Sequence, residues 1–194
     1  MNKTLLVVAT NNAHKLQEIR AMLGAHFQIK GMAEMGFSED IIEDADTFAG
    51  NALIKARTIA AKLNCDCIAD DSGLVVEALN GEPGVFSARY AGEPKSDLRN
   101  LQLVLEKLGS ETNRKAYFIT ALAYVHQGLD YVFDGRVSGT ILKETKGVKG
   151  FGYDPIFIPD GFDRSFAEMS PEEKNVLSHR ARAIEKFLEF VKAF

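Results

Sequence analysis

The feature that most constrains this chain is an apolar run that ends in two adjacent acids. Cys67–Ala69 is followed at once by Asp70 and Asp71, and then by the turn-forming residues Ser72 and Gly73. Because side chains on a regular strand alternate between faces, two neighbouring carboxylates converge only where the strand gives way to a turn. We therefore predict a buried strand that ends at the acids. Open α/β sheets bind ligands at that end, and two carboxylates there suit a hard cation such as Mg²⁺, although a solvated acidic turn fits the same residues.

The overall composition describes a folded chain with no sign of a nucleic-acid or membrane partner. Its 194 residues, 46% of them hydrophobic, are enough for one core, with or without a small second lobe. The net charge of −4 gives no broad positive surface, so a polyanionic ligand must be held by a few local bases. No run approaches the roughly 20 apolar residues of a membrane span. Cys65 and Cys67 form neither a disulfide framework nor a zinc site, and we expect a reduced, cytoplasmic enzyme.

The first polar turn of the chain is a candidate anion site. Lys3–Ala9 reads as a buried strand and Ala13–Leu23 as a helix that stops at Gly24. The turn Thr10–Lys15 therefore lies at a helix N-terminus, where backbone N–H groups and the helix dipole attract an anion and Lys15 adds a positive charge. The turn lacks the glycines of a P-loop. The alternative is that its Asn and Thr side chains merely cap the helix while Lys15 is a solvated surface residue.

Periodicity and capping residues predict the remaining elements. Strands are expected at Phe27–Met32, Ala116–Val125, Tyr131–Val137 and Val137–Leu142, and helices after caps at Asp46 or Thr47, at Asp97 and at Ser170. In the first of these helices Asn51 and Lys55 are spaced i,i+4 and face either a cleft or solvent. On one unbroken C-terminal helix Lys174 and His179 would lie about 140° apart and would not converge. We therefore predict a break or a new cap at Ser178.

A glycine-rich loop, Lys146–Pro155, carries the aromatic residues Phe151 and Tyr153. Aromatic rings among glycines suit a platform on which a base stacks. The alternative is a surface loop whose two rings enter the core. Both interpretations stay open at this point.

Five motifs, taken in order, resemble those of the inosine triphosphate pyrophosphatases. The motifs are ATNNAHKLQEI, EDADTFAGNALIKA, ADDSGLVVEALNGEPGVFSARYAG, GFGYDPIF and EEKNVLSHRARA. They cover nearly the whole chain, and five in a fixed order are far more specific than any one alone. The resemblance implies hydrolysis of ITP, dITP and XTP to the nucleoside monophosphate and pyrophosphate. It also implies one α/β domain over residues 1–194, built as an elongated mixed β-sheet flanked by helices, with two lobes, a central cleft and a homodimeric assembly.

The resemblance further implies roles for individual residues. Glu43 and Asp71 would hold Mg²⁺, whereas the alternative for Glu43 is an acid that only favours a helix N-terminus. Asp71 would also accept a proton, with Asp70 beside it and Lys15 stabilising the growing negative charge. The nucleotide would be bound by Thr10, Asn11, Asn12, Ala13, His14, Lys15, Ser72, Phe151, Gly152, Tyr153, Asp154, Lys174, His179 and Arg180.

Selectivity would come from the last two of these residues, which the resemblance places at the purine. An Arg180 donor would pair with the 6-oxo acceptor of inosine and xanthosine and be left unpaired against the amino group of adenosine. Two other functions stay open. A pyrophosphatase for modified pyrimidine triphosphates is disfavoured by the SHR segment, and a purine-binding module without hydrolysis is disfavoured by the acid pair and Glu43.

The chain departs from the family pattern at three places. Gly50 stands where the family usually has a glutamate, so any role of that acid in the metal site is lost or taken over by another residue. Asp44-Ala45 replaces a common Thr-Gly pair after the metal-binding glutamate, and Lys149 replaces a glycine ahead of the GFGYD run. The lysine would add positive charge near the phosphates.

Overall fold

The computed structural model of the chain describes residues 3–193, in which six strands form one mixed sheet. The strands are β1 Leu5–Val8, β2 Gln28–Gly31, β3 Cys67–Val76, β4 Lys115–His126, β5 Leu129–Ile141 and β6 Phe157–Pro159. The α-helices are α1 Ala13–Leu23, α2 Phe48–Leu63, α3 Asp97–Leu108, α4 Pro171–Leu177 and α5 His179–Lys192. Short 3-10 segments lie at Met32–Met35, Glu77–Leu79, Gly84–Arg89 and Asp154–Ile156. None of the helices within residues 3–193 is long and apolar enough to cross a membrane.

The strand order is β2-β1-β3-β4-β5-β6, with parallel pairing of β1 to β2 and β3 and antiparallel pairing of β5 to β6. The predicted α/β class with a mixed sheet is confirmed. In the parallel part, each strand requires a crossover, and α1 and α2 provide the helical crossovers from β1 to β2 and from β2 to β3.

The chain divides into two compact units. Unit 1 contains the residues up to Asp71, Thr120–Gly135 and the chain from Arg180 onward, and unit 2 contains Ser72–Ile119 and Arg136–His179. The strands β3, β4 and β5 each contribute residues to both units.

The described residues of unit 1 form two hydrophobic clusters, and β1 contributes to both because its side chains alternate between faces. Val7 and Ala9 belong to a cluster that includes buried residues of α2, whereas Leu6 and Val8 belong to one that includes α1 and α5. Unit 2 has a single cluster, whose three phenylalanine rings pack with centroids 4.8 to 5.9 Å apart: Phe118, Phe157 and Phe166.

Helix ends follow from side chains that satisfy the first backbone N–H groups. Thr47 caps α2 by accepting a hydrogen bond from Gly50 N, which decides between the two predicted caps. The prediction that Asp97 caps α3 is wrong, because Ser96 accepts from Arg99 N and Asp97 is the first helical residue.

The predicted interruption of the C-terminal helix is confirmed. Ser170 and Glu173 form a capping box at the start of α4. Ser178 then adopts extended backbone angles, φ −67° and ψ 160°, and α5 begins at the next residue.

Two strand predictions are wrong for a shared reason. β3 does not end at the acids but continues through Ser72 and Gly73 to Val76. Likewise β5 runs unbroken from Leu129 to Ile141, where two strands were expected. β3 and β5 are both strands of the sheet, so the pairing of each long strand outweighs local turn and strand-break preferences. The hairpin itself turns at Gln127–Gly128, both with the positive φ that a two-residue hairpin loop favours.

Candidate active site

Because β3 continues through the acid pair, the two carboxylates have different partners. Asp70 contacts Arg180 and Lys15, whereas Asp71 contacts Lys55 and Asn51. Alternation along a strand produces this separation. The expected convergence of the two acids at a turn is therefore wrong, and each acid is defined by its own surroundings in unit 1.

Asp70 lies in a buried cluster of positive charge. Its Oδ2 accepts hydrogen bonds from Arg180 Nη2 at 2.8 Å and Nε at 3.1 Å, and Lys15 Nζ lies 3.2 Å away. Burial alone would raise the pKa of Asp70, but Arg180, Lys15 and Lys55 outweigh it and hold that pKa well below its usual range. Asp70 is therefore ionised at neutral pH.

Asp71 has the opposite electrostatic balance. Burial raises the pKa of its carboxyl group, Lys55 and Lys15 oppose the rise, and Glu43 adds to it. Asn51 Nδ2 donates to Asp71 Oδ2 at 3.2 Å, which fixes the orientation of the carboxylate. A carboxylate with a raised pKa is the better proton acceptor of the two near neutral pH.

One ammonium group lies between Glu43 and Asp71. Lys55 Nζ donates to Glu43 Oε2 at 2.5 Å and is 3.7 Å from Asp71 Oδ1. Helix α2 places Asn51 and Lys55 on one face, and Asn51 Oδ1 also accepts from Ala45 N, which ties the segment carrying Glu43 to the helix. Both side chains are buried rather than solvated. Sequence reasoning gave Lys55 no role, although its i,i+4 spacing from Asn51 was the available signal.

The donor set around Lys55 fits a hard divalent cation. Two carboxylates, those of Glu43 and Asp71, already approach the same positive charge, and carboxylate oxygen is the ligand that Mg²⁺ prefers. Within residues 3–193 no group of three or more His, Cys, Asp or Glu side chains is placed to hold a metal ion. The two carboxylates of Glu43 and Asp71 are as many as Mg²⁺ typically takes from a protein, the rest of its shell being water and substrate phosphates.

The polar turn before α1 combines capping with a buried lysine. Asn12 Oδ1 accepts from His14 N at 2.9 Å and Lys15 N at 3.1 Å, so the expectation of a simple cap holds for the asparagine. Thr10 Oγ1 accepts from Asn12 N, and Asn11 Nδ2 donates to Asp40. Ala13 begins α1.

Lys15 itself is not a solvated surface residue. Its side chain is 15% exposed and pairs with Asp70. Burial lowers the pKa of Lys15, an effect that Asp70 partly offsets and that Lys55 and Arg180 reinforce. The structure thus brings Lys15, Asp70, Asp71, Glu43 and Lys55 into one connected set of charges.

In unit 2 the glycine-rich loop is fixed by Asp154. Its Oδ2 accepts from Lys174 Nζ at 2.6 Å and from Phe151 N at 2.9 Å, and Lys174 Nζ lies 4.7 Å from the centre of the Phe151 ring. Gly150 has a φ of +76°, and a Cβ there would lie 2.1 Å from Asp154 Oδ2, so the close approach requires glycine. Phe151, Asp154 and Lys174 therefore form one compact group.

The two aromatic residues of the loop have different surroundings. Tyr153 is buried and its hydroxyl donates to Ser87 O at 2.8 Å, in agreement with the core alternative. Phe151 is only half-buried. His179 stacks on Phe118 with centroids 4.9 Å apart and an interplanar angle of 11°. Ser72 continues β3, and the sequence gave no sign that it would be extended.

Arg180 lies in unit 1 with almost no exposed surface. Besides its bonds to Asp70, its Nη1 donates to Glu18 Oε2 at 2.5 Å. Burial disfavours the charged guanidinium, but Asp70 and Glu18 outweigh it and raise the pKa of Arg180. In this structure Arg180 therefore bridges the carboxylates of α1 and β3.

Comparison with known proteins finds relatives that match nearly the whole chain. Residues 6–190 match the model of a family described as the Ham1 family. A protein of Porphyromonas gingivalis named dITP/XTP pyrophosphatase is 49% identical over 187 residues, 96% of this chain and 96% of that protein.

Two solved structures share the fold. The Ham1 protein of Staphylococcus aureus superposes with a TM-score of 0.88 at 41% identity, over 98% of this chain and 99% of that chain. A HAM1 protein of Coxiella burnetii superposes with a TM-score of 0.89 at 37% identity, over 98% of this chain and 100% of that chain. Every candidate residue described above lies inside the matched region.

Proposed function

Because this chain belongs to the Ham1 family, we propose that it hydrolyses the non-standard purine nucleoside triphosphates dITP, ITP and XTP, releasing pyrophosphate and the nucleoside monophosphate. A relative that matches 96% of the chain is named for the dITP and XTP reaction. The observation that carries the proposal is the charge arrangement in unit 1. Lys55 lies between Glu43 and Asp71, and Lys15 pairs with Asp70, so carboxylates for a cation and lysines for phosphates occur together.

The proposed cofactor is Mg²⁺, held by Glu43 and Asp71. When bound, Mg²⁺ neutralises phosphate charge and lowers the pKa of water in its shell. Asp71, whose pKa burial raises, accepts the proton of the attacking water. Lys15 stabilises negative charge that builds up on the phosphate oxygens, and Asp70 stays ionised and holds Lys15 in place.

The resemblance assigns the nucleoside end of the substrate to Phe151, Lys174 and His179. Phe151 has a half-buried ring. Lys174 is held by its hydrogen bond to Asp154, and His179 is held by stacking on Phe118. A purine can stack on an aromatic ring whatever its substituents, so hydrogen bonds must provide selectivity. The assignment of Arg180 to the 6-oxo group stays a prediction from the resemblance.

The resemblance also supports a homodimer that acts in the cytoplasm on free nucleotides. We propose both as part of the same function. The net charge of −4 fits a small-molecule substrate better than a nucleic acid.

Pyrophosphate release tests the proposal directly. The purified chain should release pyrophosphate from dITP, ITP and XTP with Mg²⁺, release none with EDTA, and act poorly on dATP. Asp71→Asn should abolish turnover, whereas Asp46→Asn makes the same charge change at an exposed position of unit 1 and should not.

Three outcomes would contradict the proposal. Release of inorganic phosphate instead of pyrophosphate would show a different bond being cleaved. Preference for modified pyrimidine triphosphates would favour the related pyrophosphatase function. Purine binding without turnover would favour a nucleotide-binding module.

A further inference from the structure

The loop that carries Phe151 is held from a second position far away in the sequence. Besides the bond from Phe151 N to Asp154, the next amide, Gly152 N, donates to Asp97 Oδ2 at 2.7 Å. Gly152 has a φ of +61°, a conformation that glycine adopts without strain. Two successive N–H groups of this loop are thus bound by two different carboxylates.

The role of Asp97 is not explained by its helix. Ser96 is the N-cap of α3 and accepts from Arg99 N, so the Asp97 carboxylate is not needed for capping. An acid in the first helical turn gains a little from the helix dipole, but this effect does not require a partner 55 positions along the chain. Burial raises the pKa of Tyr153, and the charges of Tyr90 and Asp97 add to the rise, which is consistent with a carboxylate close to the loop.

We propose that Asp97 is a positioning residue for nucleotide binding, which sets the conformation of loop 150–154 through the Gly152 N–H. This inference deepens the proposed function and depends on it. The bond fixes the peptide that follows Phe151, and so fixes the ring that lies over Lys174. Losing the bond leaves Asp70, Asp71 and Lys15 unchanged but makes ordering of the loop part of the cost of binding.

The experiment compares Asp97→Ala with Asp97→Asn. Both variants lose the negative charge and its dipole effect, but only asparagine keeps an oxygen that can accept from Gly152 N. For dITP, Asp97→Ala should raise KM about three- to tenfold, the effect of one net hydrogen bond, with kcat within about twofold. Asp97→Asn should have a KM close to that of the wild type. Asp160→Ala, which removes an exposed carboxylate of unit 2, is the matched control and should leave both constants unchanged.

Amide hydrogen exchange gives a readout that does not need turnover. In Asp97→Ala the amides of residues 150–154 should exchange faster than in the wild type, while those of β4 stay protected. An unchanged KM or unchanged exchange in Asp97→Ala would overturn the inference. Equal KM values for Asp97→Ala and Asp97→Asn would also overturn it, because charge alone would then explain the effect. If the wild type hydrolyses no purine triphosphate, the proposed function fails, and the exchange measurement still decides whether Asp97 orders the loop.

Discussion

Replacing Arg180 by methionine tests how strongly a buried ion pair stabilises unit 1. Arg180 is 1% exposed and donates to Asp70 at 2.8 and 3.1 Å and to Glu18 at 2.5 Å. Methionine keeps much of the side-chain volume but removes every donor. Asp70, which is fully buried, would keep Lys15 at 3.2 Å as its nearest cation.

The size of the effect follows from the burial of the charge left behind. Removing one partner of a buried ion pair typically lowers the free energy of unfolding by about 3 to 5 kcal/mol. Because Lys15 still compensates part of the Asp70 charge, we expect the lower value, about 3 kcal/mol. In a protein of this size that corresponds to a melting temperature lower by about 6 to 12 °C. The double variant Asp70→Asn, Arg180→Met removes both charges of the pair, so it should lose less unfolding free energy than the sum of the single changes, with a coupling of about 2 kcal/mol.

The pH dependence has a definite sign. The pKa of Asp70 is lowered in the folded protein, so its contribution to stability is present above its unfolded pKa of about 3.9 and is lost as the pH falls through the lowered value. The difference in unfolding free energy between the wild type and Arg180→Met should therefore be greatest near pH 7 and should shrink below about pH 4.

Urea unfolding at a series of pH values measures these quantities. Arg57→Met is the matched control, because it removes an exposed arginine from its pair with Asp130 and should cost under about 1 kcal/mol. A cost below about 1 kcal/mol for Arg180→Met would refute the reasoning, as would strict additivity in the double variant. A destabilisation that grows toward low pH would refute the assigned sign.

Three further changes probe the site and the thiols. Asp71→Asn should lower pyrophosphate release at least about a hundredfold while costing little stability in urea unfolding, because burial already disfavours the ionised carboxylate. Lys55→Met should make the melting temperature more dependent on added MgCl₂ than in the wild type, because Glu43 and Asp71 lose their shared ammonium; an equal Mg²⁺ response would count against a cation site there. Alkylation at pH 8 should modify Cys65 slowly and Cys67 only after unfolding, because burial raises the pKa of both thiols and Cys67 has no exposed surface. The alkylation rate of Cys65 should rise with pH. Mass spectrometry identifies which cysteine has been modified.

Local rules predicted the helices well, because helix ends are decided by nearby residues. The range Ala13–Leu23 predicted for α1 is the observed one, and the break at Ser178 followed from the angle between Lys174 and His179. The error at α3 was a single position, from Asp97 to its neighbour Ser96. A preceding serine and an aspartate are both good caps, so composition alone does not choose between them.

Long-range pairing accounts for what the sequence did not predict. Ser72 and Gly73 favour a turn by themselves, but in the sheet β3 stays extended through both residues. Arg180 meets Asp70 across 110 positions, so no local pattern could show that its guanidinium bridges two carboxylates. Lys55 was visible as an i,i+4 partner of Asn51, but its place between Glu43 and Asp71 required the fold.

Two departures from the family pattern explain each other in this structure. A Cβ at Gly50 would lie 2.6 Å from the Cβ of Ala45 and 3.0 Å from Oγ1 of Thr47, closer than side chains tolerate. A glutamate at position 50 is therefore accommodated more easily beside a residue without a Cβ at position 45, which is the glycine that the resemblance places there. With alanine at 45 the additional acid is disfavoured, so the proposed cation site relies on Glu43 and Asp71. The substitutions at 45 and 50 thus act as one unit, and restoring the glutamate is easier when both are changed.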